Sequence, residues 1–289
     1  MTSADWPAPA KLNLFLHVLG LRADGYHELQ TVYQLIDLAD LLSFEIREDG
    51  RIRRVSGPPD IPAGSDLAVR AARQLQSASG TRLGADIRLI KRIPVRGGLG
   101  GGSSDAATTH VALNEFWGLD WEADRLAALG RALGADVPVF IHGWSAWAEG
   151  VGDQLTPMEL PGRHFAIIFP GLGVSTAEIF QAPELTRNSP KTTIRGFLTA
   201  GGRNDCAPVA TRRYPEVARV MAWLGQRGDA RLTGTGSCVF ADFPDRAHAE
   251  AALADLPGGW SAYVARGIDR SPLPERLAAE RASRDRRGG

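Results

Sequence analysis

Pro94-Val95-Arg96-Gly97-Gly98-Leu99-Gly100-Gly101-Gly102-Ser103-Ser104-Asp105-Ala106-Ala107 crowds five glycines ahead of an alanine-rich, helix-forming run. Glycine lets main-chain N–H groups converge on an anion with no Cβ in the way, so this is the composition of a backbone that touches phosphate. Upstream, Ala85 to Arg92 alternates apolar and polar residues as a strand does. Downstream, Ser103 or Ser104 stands where an N-cap would open a helix through Val111, Leu113 and Phe116. Strand, glycine loop and helix N-terminus in that order predict bound phosphate. No Gly-Lys-Ser or Gly-Lys-Thr follows, which excludes a Walker A loop. Ser103 stands where the third glycine of G-x-G-x-x-G would fall, and the protein-kinase signature set is missing. An ordinary surface loop mixes Ser, Asn and Lys with its glycines and seldom joins a clean strand to a capped helix.

Outward from the loop, the chain reads as mixed helix and strand without the regular alternation of a doubly wound sheet, which predicts an α+β class. Leu12 to Gly20 predicts a strand, and Phe44 to Arg53 a hairpin turning at Asp49-Gly50. Ser65 or Asp66 can cap a helix through Leu75 that ends near Gly80, and Trp121 to Leu133 reads as a helix closed by Gly134. Thr156-Pro157 and Pro161-Gly162 mark a crossing between halves before the apolar strand Phe165 to Phe169. Beyond it come a capping box at Ser175-Thr176-Ala177-Glu178, a helix from Pro215 to Leu224 and strands at Ala230 to Leu232 and Cys238 to Phe243. A last helix and strand fall near Arg246 to Leu256 and Ser261 to Val264.

The chain's 289 residues can bury about three quarters of the unfolded surface in one large or two modest domains. Lys plus Arg balances Asp plus Glu at 33 each, so the overall field gives no reason to expect a nucleic-acid or membrane partner. Cys206 and Cys238 lie far apart without metal-ligand spacing and read as buried free thiols, in keeping with a reducing cytoplasm. Met1 to Ala10 lacks the basic and apolar regions of a signal peptide, and no apolar run approaches spanning length. The charged, arginine-rich stretch 280–289 reads as a solvated, flexible tail.

Pro94 to Ala107 resembles the second motif of the GHMP kinases, small-molecule kinases that include galactokinase, homoserine kinase and mevalonate kinase. Four more blocks, in the expected order, are similar to the branch whose acceptor is a cytidine diphosphate-linked methylerythritol. They are Pro9-Ala10-Lys11-Leu12-Asn13-Leu14, Arg22-Ala23-Asp24-Gly25-Tyr26-His27, Leu133-Gly134-Ala135-Asp136-Val137-Pro138-Val139-Phe140 and Leu232-Thr233-Gly234-Thr235-Gly236-Ser237. The resemblance implies a two-domain GHMP kinase fold, with a nucleotide-binding and catalytic half over residues 1–158, a C-terminal GHMP domain over 159–279 and the active site in the cleft between them. It implies ATP as phosphoryl donor, Mg²⁺ with it, and a small-molecule acceptor of that cytidine class.

Phosphoryl transfer to an alcohol needs the phosphates held, charge neutralised and usually an acceptor for the hydroxyl proton. On the residues alone, Asp136 before Val137-Pro138 is most simply an N-cap. The resemblance makes it the catalytic aspartate, and the two roles are compatible. Lys11, by itself an unremarked lysine at a strand start, matches the family's catalytic lysine. Asn13, on the same strand face, matches a substrate-orienting amide. By resemblance the nucleotide is held by Pro94 to Ser104, namely Val95, Arg96, Gly97, Gly98, Leu99, Gly100, Gly101, Gly102 and Ser103 between those ends, together with Asp66 and Lys91. Gly234, Thr235, Gly236 and Ser237 form the supporting third motif. The acceptor is assigned to Tyr26, His27, Tyr33, Thr176 and Phe180, with Tyr26 and Phe180 sandwiching a cytosine and His27 reading its edge. A buried Tyr-His pair in so polar a turn is itself unexpected. Asp66 stands where many members have asparagine, and Tyr33 where phenylalanine is common. No residue declares itself a magnesium ligand; Ser103 and Ser104 are the candidates. Two rival readings are a small-alcohol kinase with a non-nucleotide acceptor and an inactive member that binds ATP or ligand as a sensor. The joint presence of Lys11 and Asp136 argues against the second.

Overall fold

Two long antiparallel strands, β1 (Thr2–Leu21) and β2 (His27–Arg47), frame the first half of the molecule, and a computed structural model describes residues 2–288. Trp6, Ala8, Leu12, Leu35 and Leu42 are wholly buried along them, so these strands are long because they carry apolar faces for several packing layers. β3 (Ile52–Ser56), α1 (Leu67–Ser79), β4 (Gly84–Ile90), α2 (Gly101–Phe116), α3 (Ala123–Gly130), α4 (Val137–His142), β5 (Ala146–Glu149) and β6 (Gln154–Pro157) complete this half. Asp66 caps α1 by accepting from the Ala68 N–H, and Gly80 closes it in the left-handed conformation. α2 is buried on nearly every side, packed on α1, α4 and β1.

The second half contains β7 (His164–Phe169), α5 (Thr176–Phe180), α6 (Ile194–Ala200), α7 (Ala207–Arg213), α8 (Pro215–Gly225), β8 (Arg231–Leu232), β9 (Val239–Phe243), α9 (Arg246–Ala251), β10 (Ser261–Ile268) and α10 (Leu273–Gly288). One sheet path runs β3-β4-β2-β10-β7-β9-β8, so within it the β2 to β10 pairing joins the halves, and Leu16 of β1 adds an isolated bridge to Asn204. Along β10 and β2, Gly267 and Ile268 face Ile36 and Leu35. The buried Ser145 hydroxyl accepts from Leu35 N at 2.9 Å and Gln34 Nε2 donates to Ile268 O at 3.0 Å, which satisfies polar groups at the seam. The α+β class holds, and Cys206 and Cys238 are buried free thiols. Among the described residues no helix is long and apolar enough to cross a membrane.

Three expectations are corrected. The chain does turn at Asp49-Gly50, but no hairpin forms: β4 inserts between β2 and β3 and pairs in parallel with β3. Ala85, Ile87 and Leu89 are buried and demand the interior position, whereas charged, exposed β3 suits an edge. The third helix is shorter than Trp121 to Leu133, ending at Gly130. Residues 280–288 are not a loose tail but the second half of α10, which packs on α2 and β1, and residue 289 lies outside the described residues. Ser3 Oγ donates to the buried Glu280 carboxylate at 2.7 Å, and Arg281 and Arg284 reach the Glu115 carboxylate at 2.7 and 3.0 Å. Arg284 also donates to the Glu115 carbonyl, at the C-terminal end of α2, where a cation is favoured.

Candidate active site

The glycine loop opens α2 as its composition requires, with one change. Gly100, in the left-handed conformation at φ 72°, occupies the N-cap, and no side chain caps the helix. Ser104 is wholly buried inside the helix and Ser103 lies along the cavity wall, so neither is the cap. The first N–H groups of α2 are therefore left for a ligand in the cavity. Gly98, at φ 79°, lies so close to the third motif that a Cβ would stand 2.2 Å from Thr233 O. Cys238 N donates to Gly97 O at 3.0 Å and Thr233 Oγ1 to Gly98 O at 3.2 Å, which ties the two loops together.

β1 runs beneath this loop. Lys11 N donates to Leu99 O at 3.0 Å, and the Lys11 ammonium donates to Gly98 O at 3.1 Å and to Asn13 Oδ1. The same Nζ lies 3.3 Å from Asp136 Oδ2. Asp136 occupies the N-cap position of α4 but its side chain caps nothing. Its other oxygen accepts from the Tyr33 hydroxyl at 3.0 Å. Burial, then the Asp136 charge, push the Tyr33 pKa well above its usual value, so this hydroxyl remains a donor. Asn13 is held from both sides, its N–H donating to Thr233 Oγ1 and its amide to Thr31 Oγ1. Lys11, Asn13, Tyr33 and Asp136 thus line one cavity of about 520 Å³ with the glycine loop, Thr176, Phe180, Gly234 and Thr235.

Lys91, also on the cavity lining, is sandwiched between the carboxylates of Asp40 and Asp105, the latter at 2.7 Å. Burial works against its charge, but the two carboxylates outweigh that and hold its pKa above the usual value. Burial works to raise the Asp105 pKa and Asp40 adds to the rise, while Lys91 opposes it. Asp66 is likewise engaged, receiving Arg54 at 2.7 Å while capping α1. Ile61, Leu67, Leu89, Pro94 and Val95 add apolar side chains to the cavity lining.

Family models for the GHMP kinases match the chain twice, the N-terminal domain over residues 66–144 and the C-terminal domain over 186–262. A 4-diphosphocytidyl-2-C-methyl-D-erythritol kinase of Halorhodospira halophila is 56% identical over 278 residues, covering 94% of this chain and 96% of that protein. The chain belongs to the GHMP kinases. A second relative of the same name, from Alkalilimnicola ehrlichii, is 54% identical and covers 99% of this chain and 98% of its own length. A crystal structure of 4-(cytidine 5'-diphospho)-2C-methyl-D-erythritol kinase superposes with a TM-score of 0.79 at 36% identity, covering 93% of this chain and all of that one. The homoserine kinase from Cytophaga hutchinsonii, at 16% identity and a TM-score of 0.64, shares the fold.

In this GHMP kinase the expected acceptor residues are only partly gathered. Phe180 and Thr176 reach the cavity, and Thr176 Oγ1 lies 3.1 Å from Thr235 Oγ1, joining α5 to the third motif. His27 stacks on Phe180 with ring centroids 5.0 Å apart. Tyr26 is not part of a buried pair: it is 64% exposed at the tip of the turn and away from the cavity lining. Its N–H donates to Asp24 Oδ1 within the turn, at 3.1 Å. Ser237 is buried and donates to Leu172 O instead of facing the cavity. Sequence reading missed Asp40 and Asp105 around Lys91 and Arg187 beside His27. Asp105, directly after the loop serines at the start of a helix, was the one carrying a local signal.

Proposed function

We propose that this kinase transfers the γ-phosphoryl group of ATP to the 2-hydroxyl of 4-diphosphocytidyl-2-C-methyl-D-erythritol, a step in the non-mevalonate route to isoprenoid precursors. The observation that carries the chemistry is the Lys11–Asp136 pair, 3.3 Å apart, on the wall of the cavity into which the uncapped end of α2 opens. The Asp136 carboxylate accepts the proton of the attacking hydroxyl, a role worth on the order of 10²–10⁴ in rate. Lys11, fixed by Gly98 O and Asn13, places positive charge beside the moving phosphoryl group without reorganising. Asn13 orients the acceptor. The apolar wall of Leu67, Leu89 and Val95 suits the adenine ring, and Phe180 with His27 suits the cytosine.

Magnesium belongs to the same proposal. Asp136 and Asp105 face the cavity already paired with lysines, and the described residues hold no cluster of three or more His, Cys, Asp or Glu built for a metal. These residues fit a metal carried in on the phosphates of ATP, with the Ser103 hydroxyl as the protein group beside it. The ion would neutralise charge on the phosphates. A cytoplasmic location and a boundary between halves near residue 158 accompany this reading. The test is an acceptor panel with labelled ATP. Phosphorylation of the cytidine diphosphate conjugate, and not of free methylerythritol, is expected. Efficient turnover of the free polyol would favour the rival small-alcohol kinase.

A further inference from the structure

Arg187 lies on the segment between α5 and α6, and its guanidinium is held by three backbone carbonyls: Nη2 donates to Phe180 O and Ala182 O, each at 2.8 Å, and Nη1 to Leu185 O at 3.2 Å. Its remaining directed donor, Nε, points at His27 Nε2 at 3.1 Å. An arginine has only donors and stays charged, so a ring nitrogen that meets its N–H must supply a lone pair. A neutral imidazole with its lone pair on Nε2 carries its hydrogen on Nδ1. The other surroundings of the ring agree. Phe180 stacks on one face. The acidic groups of its own turn, Asp24 and Glu28, are occupied by Arg22. Burial, and then the Arg187 charge, hold the His27 pKa below its usual value.

From this geometry we propose that Arg187 is a positioning residue for base selection: it locks His27 as a neutral ring with a fixed Nδ1–H donor for the acceptor edge of a cytosine. This rests on the acceptor reading given above. Cytosine presents a lone pair at N3 beside its O2, whereas uracil carries a hydrogen at N3. A donor that cannot switch tautomer pairs with the first and leaves two hydrogens opposed in the second. His27 alone, free to place its proton on either nitrogen, would discriminate poorly, since it could accept from a uracil N3–H as readily as donate to a cytosine N3.

The decisive measurement is the ¹⁵N NMR signature of His27 in the free wild-type protein between pH 7 and 8, which needs no ligand. A neutral ring protonated on Nδ1 throughout is expected; an Nε2-protonated or cationic ring would overturn the proposal. Arg187→Met keeps the chain length and removes the donors. It is expected to free the tautomer, raise the KM for the cytidine acceptor about tenfold with kcat within about twofold, and reduce the preference over the uridine analogue. An unchanged tautomer or unchanged preference overturns the proposal. Should the loss of three carbonyl contacts prevent folding, His27→Phe, which keeps a ring against Phe180 but has no donor or acceptor, must show the same loss of preference with Arg187 intact. Failure of wild-type protein to use any cytidine acceptor would remove the functional reading, while the NMR result would still decide the tautomer.

Discussion

Lys11 and Lys91 line the same cavity, yet one faces a single carboxylate and the other is held between two. Asp136, the partner of Lys11, keeps 28% of its side chain exposed, and among the described residues its oxygens meet Lys11 and Tyr33. Asp40 and Asp105, the partners of Lys91, are almost wholly enclosed, and Asp40 also accepts from Arg92 N and Ile93 N. A carboxylate that remains wet and underused can take a proton from a substrate. A buried cluster whose charges consume one another holds the β4 end of the glycine loop in place. Sequence resemblance put both lysines in the site; only their surroundings separate a chemical role from a structural one.

The contrast can be broken from the Lys91 side first. Lys91→Met leaves two buried carboxylates without their cation and is expected to cost about 3–5 kcal/mol, seen as a fall of roughly ten degrees in Tm. Adding Asp105→Asn should recover part of it, because the amide removes the group that burial most opposes. A Lys91→Met protein with wild-type melting would show that the cluster is not structural. Asp136→Asn should do the reverse, lowering turnover about a hundredfold or more while Tm stays nearly constant, since the side chain caps nothing. Turnover near wild type would remove Asp136 as the proton acceptor.

The smallest effect sharpens the comparison. Tyr33→Phe keeps the ring and removes the hydroxyl that donates to Asp136 Oδ1, while Lys11 still holds the other oxygen. Turnover should drop by less than about tenfold, because the carboxylate is less firmly oriented but still present. Turnover equal to wild type would leave Tyr33 a packing residue.

The glycine loop was legible because its demands are local: backbone that must approach another backbone, as Gly98 does at Thr233, selects glycine whatever surrounds it. Lys11 and Asn13 were legible as a pair because strand periodicity alone puts them on one face, and Gly80 marked a helix end by its own conformation. The hairpin at Asp49-Gly50 misled because a turn signal says where a chain bends and not which strand it will lie against. The arginine-rich end misled for a related reason: its charges look solvated until Glu115, far away in sequence, is brought beneath them.

By itself the sequence determined the α+β class, the strand and helix that flank the glycine loop and, through the ordered motifs, membership of the GHMP kinases. Each depends on short-range backbone geometry or on patterns read along the chain. Tertiary structure alone decided that Asp136 turns from its helix to Lys11 and Tyr33, that Lys91 is spent on Asp40 and Asp105, and that Arg187 sets the face of His27. Those partners meet across gaps of up to 160 residues: β1, β2, β4, α2 and α4 bring the lysines to their carboxylates within the first half, and Arg187 reaches His27 from the second. A side chain's charge can be read from its name; the company that charge keeps is decided by burial and register.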